Sequence, residues 1–153
     1  MNTKMFKEGV GAAISLFVGL GAASPVLADS STSVQLLGGT ANSIDVWTFS
    51  CPIGARARVF DITTTPVNAA ARMQAVLGKD GNPTREVTDL SPPPTGEGDG
   101  SSPFAVVIDG PGLYAVAFKK TAGGVERYNG EAACVNAAGV VTSNPVLTKR
   151  IDQ

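Results

Sequence analysis

The segment Ile44-Asp45-Val46-Trp47-Thr48-Phe49-Ser50-Cys51 decides the fold. Ile44, Val46 and Thr48 fall on one side of an extended chain, and Asp45, Trp47, Phe49 and Cys51 fall on the other. That is the two-residue period of a strand with one buried face. The two large aromatics and the cysteine mark the buried side. Pro52-Ile53-Gly54 then turns the chain. Residues 55–62 alternate again, with Ala55, Ala57 and Val59 on one face and Arg56 and Arg58 on a face expected to be solvated.

The same grammar extends in both directions. Ser33-Val34-Gln35-Leu36 alternates and stops at Gly38-Gly39. Residues 104–109 form an apolar strand, Gly110-Pro111-Gly112 a tight turn and residues 113–118 an alternating strand, which together read as a hairpin. Ala122-Gly123-Gly124 leads into a strand at 125–128, and residues 132–135 carry the second cysteine. Val140-Val141 and Val146-Leu147 supply a last strand around Pro145, a residue suited to an edge. Residues 69–77 contain helix formers but run into Gly78-Lys79-Asp80-Gly81-Asn82-Pro83. They read either as a short helix or, preferably, as a hairpin of 73–77 with 84–87. About eight short strands with Gly and Pro punctuation predict an all-β chain, an antiparallel β-sandwich. Residues 91–102, with three prolines and three glycines, read as an exposed loop within one domain.

The start of the chain has the layout of a cleaved secretory signal peptide. Lys4 and Lys7 precede an apolar run at 10–23, and Ser24-Pro25-Val26-Leu27-Ala28 is a small-residue exit. Cleavage after Ala28 leaves 125 residues, 29–153, enough for one domain with one core. The apolar run is shorter than the roughly 20 residues needed to cross a bilayer, so the mature chain is expected to have no membrane span. The expected location is extracellular, at the cell surface or periplasmic. The lack of N-x-[ST] acceptor sites leans towards a bacterial source.

Of 12 basic and 13 acidic residues, Lys4, Lys7 and Glu8 leave with the leader, so ten and twelve remain, scattered along the chain. That balance carries no footprint for nucleic acid. Cys51 and Cys134 are the only cysteines, and in an oxidising compartment they predict one disulfide. With no histidine, the Ser-His-Asp and Cys-His nucleophile systems are excluded, and no enzyme activity is expected. Asp45, Asp61, Asp80, Glu86, Asp89 and Asp109 leave room for a carboxylate pair but read as turn formers. Calcium is the one metal worth weighing, through Glu97, Asp99 and Asp80. Without a D-x-[DN]-x-[DN]-G loop these read as solvated carboxylates, and no cofactor is expected.

Asp45-Val46-Trp47-Thr48-Phe49, Gly54 and Arg58-Val59-Phe60-Asp61 resemble the opening of bacterial pre-peptidase C-terminal domains. Val76-Leu77-Gly78-Lys79-Asp80-Gly81 and Gly112-Leu113-Tyr114-Ala115-Val116 fill the places of their later turn and Gly-x-Tyr strand. The resemblance covers residues 44–118. It implies a jelly-roll sandwich and a noncatalytic accessory role on polymers or protein surfaces. This chain departs from that pattern in having no peptidase beside it and in adding the Cys51–Cys134 pair.

Two functional readings follow. In the first, the protein is a structural or surface-assembly subunit, such as that of a filament or matrix. Val34, Leu36 and Leu37 leave their own sheet and add to a neighbour's strand edge; the competing reading pairs them within their own sandwich. The low charge content, 16%, suits a densely packed subunit. In the second, the protein is a binding module for an extracellular glycan or protein, using the 91–102 loop and Tyr128, expected to be the exposed aromatic. Trp47, which alternates with Phe49 and Cys51, is assigned to the core.

Overall fold

The computed structural model of the chain describes residues 29–63, 71–80, 82, 84–89 and 101–153. The expected leader at 1–28, most of the expected 91–102 loop and residues 69–70 lie outside them. The described residues form ten strands and no helix: β1 (Ser30–Leu37), β2 (Ile44–Cys51), β3 (Gly54–Asp61), β4 (Met73–Lys79), β5 (Arg85–Thr88), β6 (Ala105–Ile108), β7 (Gly112–Lys120), β8 (Glu126–Val135), β9 (Val141–Ser143) and β10 (Thr148–Ile151). Sheet A has the order β1-β8-β3-β6, with β9 also beside β8; sheet B has the order β10-β2-β7-β4-β5. All pairings are antiparallel. The first eight strands therefore wind as 1-8-3-6 against 2-7-4-5. This is the jelly roll, two interlocked Greek keys that form a sandwich.

The core follows from the alternation. Trp47, Phe49, Tyr114, Val116, Phe118, Met73 and Leu77 face inward from sheet B, and Ala55, Ala57, Val59, Tyr128 and Ala132 from sheet A. Small residues on sheet A make room for the aromatics of sheet B. Gly130 is the tightest case, because a Cβ there would run into the Phe118 ring. That ring packs on Tyr128 with centroids 5.0 Å apart. The predicted disulfide is present: Cys51 at the end of β2 joins Cys134 on β8, bolting sheet B to sheet A across 83 residues.

The β4–β5 hairpin forms where expected, pairing Gln74 with Thr88 through Leu77 with Arg85. The second predicted hairpin does not. β6 pairs with β3 in sheet A and β7 with β2 and β4 in sheet B, so Gly110-Pro111-Gly112 is an arch between sheets. Positive φ at Gly110 (72°) and Gly112 (145°) bends it. The Tyr114 hydroxyl braces it by donating to Gly110 O (2.7 Å) and accepting from Asp109 N (3.2 Å). The single closing strand around Pro145 is also corrected. β9 and β10 lie in different sheets, and Pro145 sits in the crossover between them.

Candidate interaction face

Among the described residues, no three His, Cys, Asp or Glu side chains gather as metal ligands. Asp80 is exposed at its turn; Glu97 and Asp99 lie outside the described residues. Asp45, Asp61 and Asp89 are buried rather than solvated turn formers. Glu86 is bonded to Lys119 at 2.8 Å on the surface. Among the described residues, no helix is long and apolar enough to cross a membrane.

Tyr128 is not an exposed aromatic; it is fully buried. It lies on the inner face of a central strand, opposite Asp61 of β3 and Gln35 of β1. Its hydroxyl donates to Asp45 Oδ2 at 2.6 Å and accepts from Trp47 Nε1 at 3.3 Å. Burial, reinforced by the Asp45 hydrogen bond, pushes the Tyr128 hydroxyl far above its ordinary value. Asp45 has no exposed surface; it also meets Lys149 Nζ at 3.0 Å and the Gln153 backbone N–H at 3.2 Å. A buried aromatic pair thus anchors the end of the chain.

The strand proposed for exchange pairs within its own sheet, from Ser30↔Ala132 to Leu37↔Glu126. Leu37 is in the core, whereas Val34 and Leu36 point outward and are 50% and 60% exposed. The edge is blunted. The register breaks between Ser31 and Val34, where Ser33 has φ 57°, and local side chains occupy the backbone. Ser33 Oγ and Gln35 Nε2 both donate to Thr32 O, and Thr32 Oγ1 donates to Ser33 O. Ser30 Oγ ties the strand to Pro145 O of the β9–β10 crossover. The β10 edge is irregular between Lys149 and Ile151, and the β5 and β6 edges are four residues long. Bulges and short edges are the devices that discourage edge pairing.

The outer faces of the two sheets differ. On sheet A, Arg56 forms a two-bond pair with Asp29, and Arg58 pairs with Glu131 at 2.8 Å. Both guanidinium groups stack on the Phe104 ring, and Arg58 also on Phe60. The two arginines, expected to be solvated, are half-buried and already partnered.

On sheet B the central outward positions are apolar or small, and Glu86 on the β5 edge ends the row that passes through Val76. Register places Ile151, Val46, Ala117 and Val76 in one row across four strands. The next row holds Thr48, Ala115 and Gly78, with Thr84 packed over Gly78. An open trough of about 270 Å³ runs between Val46 and Val76 over the two alanines. Charge is confined to the rim: Lys119 with Glu86 towards one end of the strands, Lys79 and Asp80 at the other end of β4, and Arg150, whose Nε donates to Thr48 Oγ1 at 2.9 Å. A solvated antiparallel sheet face is expected to be polar; these three central strands carry no charge along two consecutive rows. The signal was present in the sequence at Val46, Val76, Ala115 and Ala117, but only register shows that they are neighbours.

No family model, curated protein or solved structure matches the chain.

Proposed function

We propose that the protein is a secreted, noncatalytic structural subunit that pairs with a second copy of itself through the outer face of sheet B. The observation that carries this reading is the apolar row Ile151–Val46–Ala117–Val76 on a sheet face that no other described strand covers. The blunted edges turn the assembly contact from a strand edge to a sheet face. The rim suits a like partner. Lys119 and Glu86 lie side by side and pair with each other, so that part of the rim presents no net charge to a second copy. The five strands of sheet B hold 32 residues; at about 16 Å² each they give a face of about 500 Å², or about 1,000 Å² for two copies, at the threshold for a specific interface. The leader, the disulfide and the resemblance to pre-peptidase C-terminal domains support a secreted, noncatalytic role.

Sedimentation velocity tests the proposal. The mature protein is expected to associate as its concentration rises, and Ala117→Glu, which sets a charge in the centre of the face, is expected to remain monomeric with an unchanged melting temperature. Equal association of both proteins would overturn the use of this face. A wild type that stays monomeric at all concentrations would favour the binding-module reading, with a different extracellular protein or glycan on the same face.

A further inference from the structure

A second feature lies inside the sandwich and is independent of sheet B's outer face. β8 begins with Glu126, which is 1% exposed and faces inward. Neither of its carboxylate oxygens has a hydrogen-bond partner. The neighbouring Thr63 hydroxyl is engaged by the Arg127 backbone, accepting from its N–H at 2.6 Å and donating to its carbonyl at 3.4 Å.

The groups that face Glu126 come from every surrounding element. The end of β3 brings Asp61, 3% exposed, whose Oδ1 accepts from Thr63 N at 2.9 Å. The segment after β5 brings Asp89, 1% exposed, whose Oδ2 accepts from Asp61 N at 3.4 Å. The end of β7 brings Lys120, also buried, but its ammonium donates to Gly38 O and Gly124 O. Arg72, before β4, acts on Asp61 from the rim. β1 offers only Leu37, opposite Glu126 in the register, and the β2 carboxylate Asp45 is held by Tyr128 and Lys149. Among the described residues, Asp61 and Lys120 thus act on Glu126, Asp89 and Arg72 act on Asp61 behind it, and the Glu126 carboxylate has no donor within hydrogen-bond geometry.

An ionised carboxylate buried without a donor is costly, whereas the neutral acid carries a proton and costs far less. A hydrated metal ion needs six or more oxygen ligands, and no three carboxylates converge for one among the described residues. A proton is the cation small enough to reach so enclosed a group. We propose that Glu126 is a proton-binding site, and that a proton held there keeps the β3–β8 end of the sandwich shut in acid and lets it loosen as the medium becomes neutral.

The electrostatics agree. Burial first, and then Asp61, push Glu126 above its ordinary value, against the nearby Thr63 hydroxyl and the pull of Lys120. Burial and Asp89 push Asp61 the same way, against Thr63 and Arg72. When the folded value lies above the unfolded one, nothing is lost while both states are protonated. Stability then falls as pH rises from the ordinary value of 4.5 towards the folded value, and the loss is complete above it.

Thermal unfolding of the mature protein from about pH 4 to about pH 8 tests this, comparing wild type with Glu126→Gln, which keeps the shape and removes the titration. The two are expected to melt together at the acid end. At the neutral end the variant should melt higher, by about a few degrees, which is what about 1 kcal/mol is worth in a domain of this length. Hydrogen exchange locates the effect. Protection of the Ile62 amide, bonded to Arg127 O at 2.8 Å, should fall with rising pH in wild type and hold in the variant. A wild-type-minus-variant difference that is the same at both ends of the pH range would overturn the proposal. If Glu126→Gln does not fold, Asp61→Asn takes its place: a flatter pH profile supports the site, and an unchanged one overturns it.

Discussion

Tyr128 shows how a single residue can be placed wrongly and then explained. Its hydroxyl satisfies Trp47 and helps hold Asp45, so Tyr128→Phe removes the Trp47 acceptor and one of the Asp45 donors together. Unsatisfied buried groups of this kind cost about 1–3 kcal/mol each, so denaturant unfolding of Tyr128→Phe should show a loss in that range. A variant as stable as wild type would mean that the network carries no stability. Its polar neighbours in the sequence, Arg127 and Asn129, suggest exposure. A better signal was parity: Glu126, Tyr128, Gly130, Ala132 and Cys134 all lie on one side of β8, and the disulfide fixes that side as inner. The same reasoning had placed Trp47 correctly, because Phe49 and Cys51 sit beside it in phase.

At the scale of elements, alternation located strands reliably and turn chemistry assigned their partners less well. Gly78-Lys79-Asp80-Gly81 did announce the β4–β5 hairpin, whereas Gly110-Pro111-Gly112 announced an arch that reads the same way. Glycine and proline reverse a chain in either setting. Which sheet receives the next strand depends on distant contacts, here on β3 taking β6 and on β2 and β4 enclosing β7. Close approach between sheets is also invisible in a single segment. Gly130 reads as a weak point of β8 until Phe118 is seen lying against it. Gly130→Ala is therefore expected to cost about 1–3 kcal/mol by overpacking, more than the few tenths typical of a surface change. A melting temperature within a degree of wild type would show that the ring gives way freely.

For the whole molecule, composition and spacing led to the sandwich, and the two cysteines led to its one covalent cross-link. The jelly-roll order followed from resemblance rather than from spacing, since wrapping order is a property of all eight strands at once. The outer row on sheet B and the carboxylates around Glu126 became visible only in three dimensions, because their members are up to about a hundred residues apart in sequence. The cross-link is where global stability is most exposed to test. Replacing both Cys51 and Cys134 by serine should cost about 2–5 kcal/mol by freeing the unfolded chain, read as a lower denaturant midpoint; an unchanged midpoint would show that packing alone joins the sheets. The disulfide also sets a mechanical limit. Only the 22 residues before Cys51, counted from Asp29, and the 19 after Cys134 lie outside its loop. A molecule pulled from its two ends would pay out about 140 Å of slack at full extension and then stop, with load passing through the sulfurs and the enclosed strands out of the line of force.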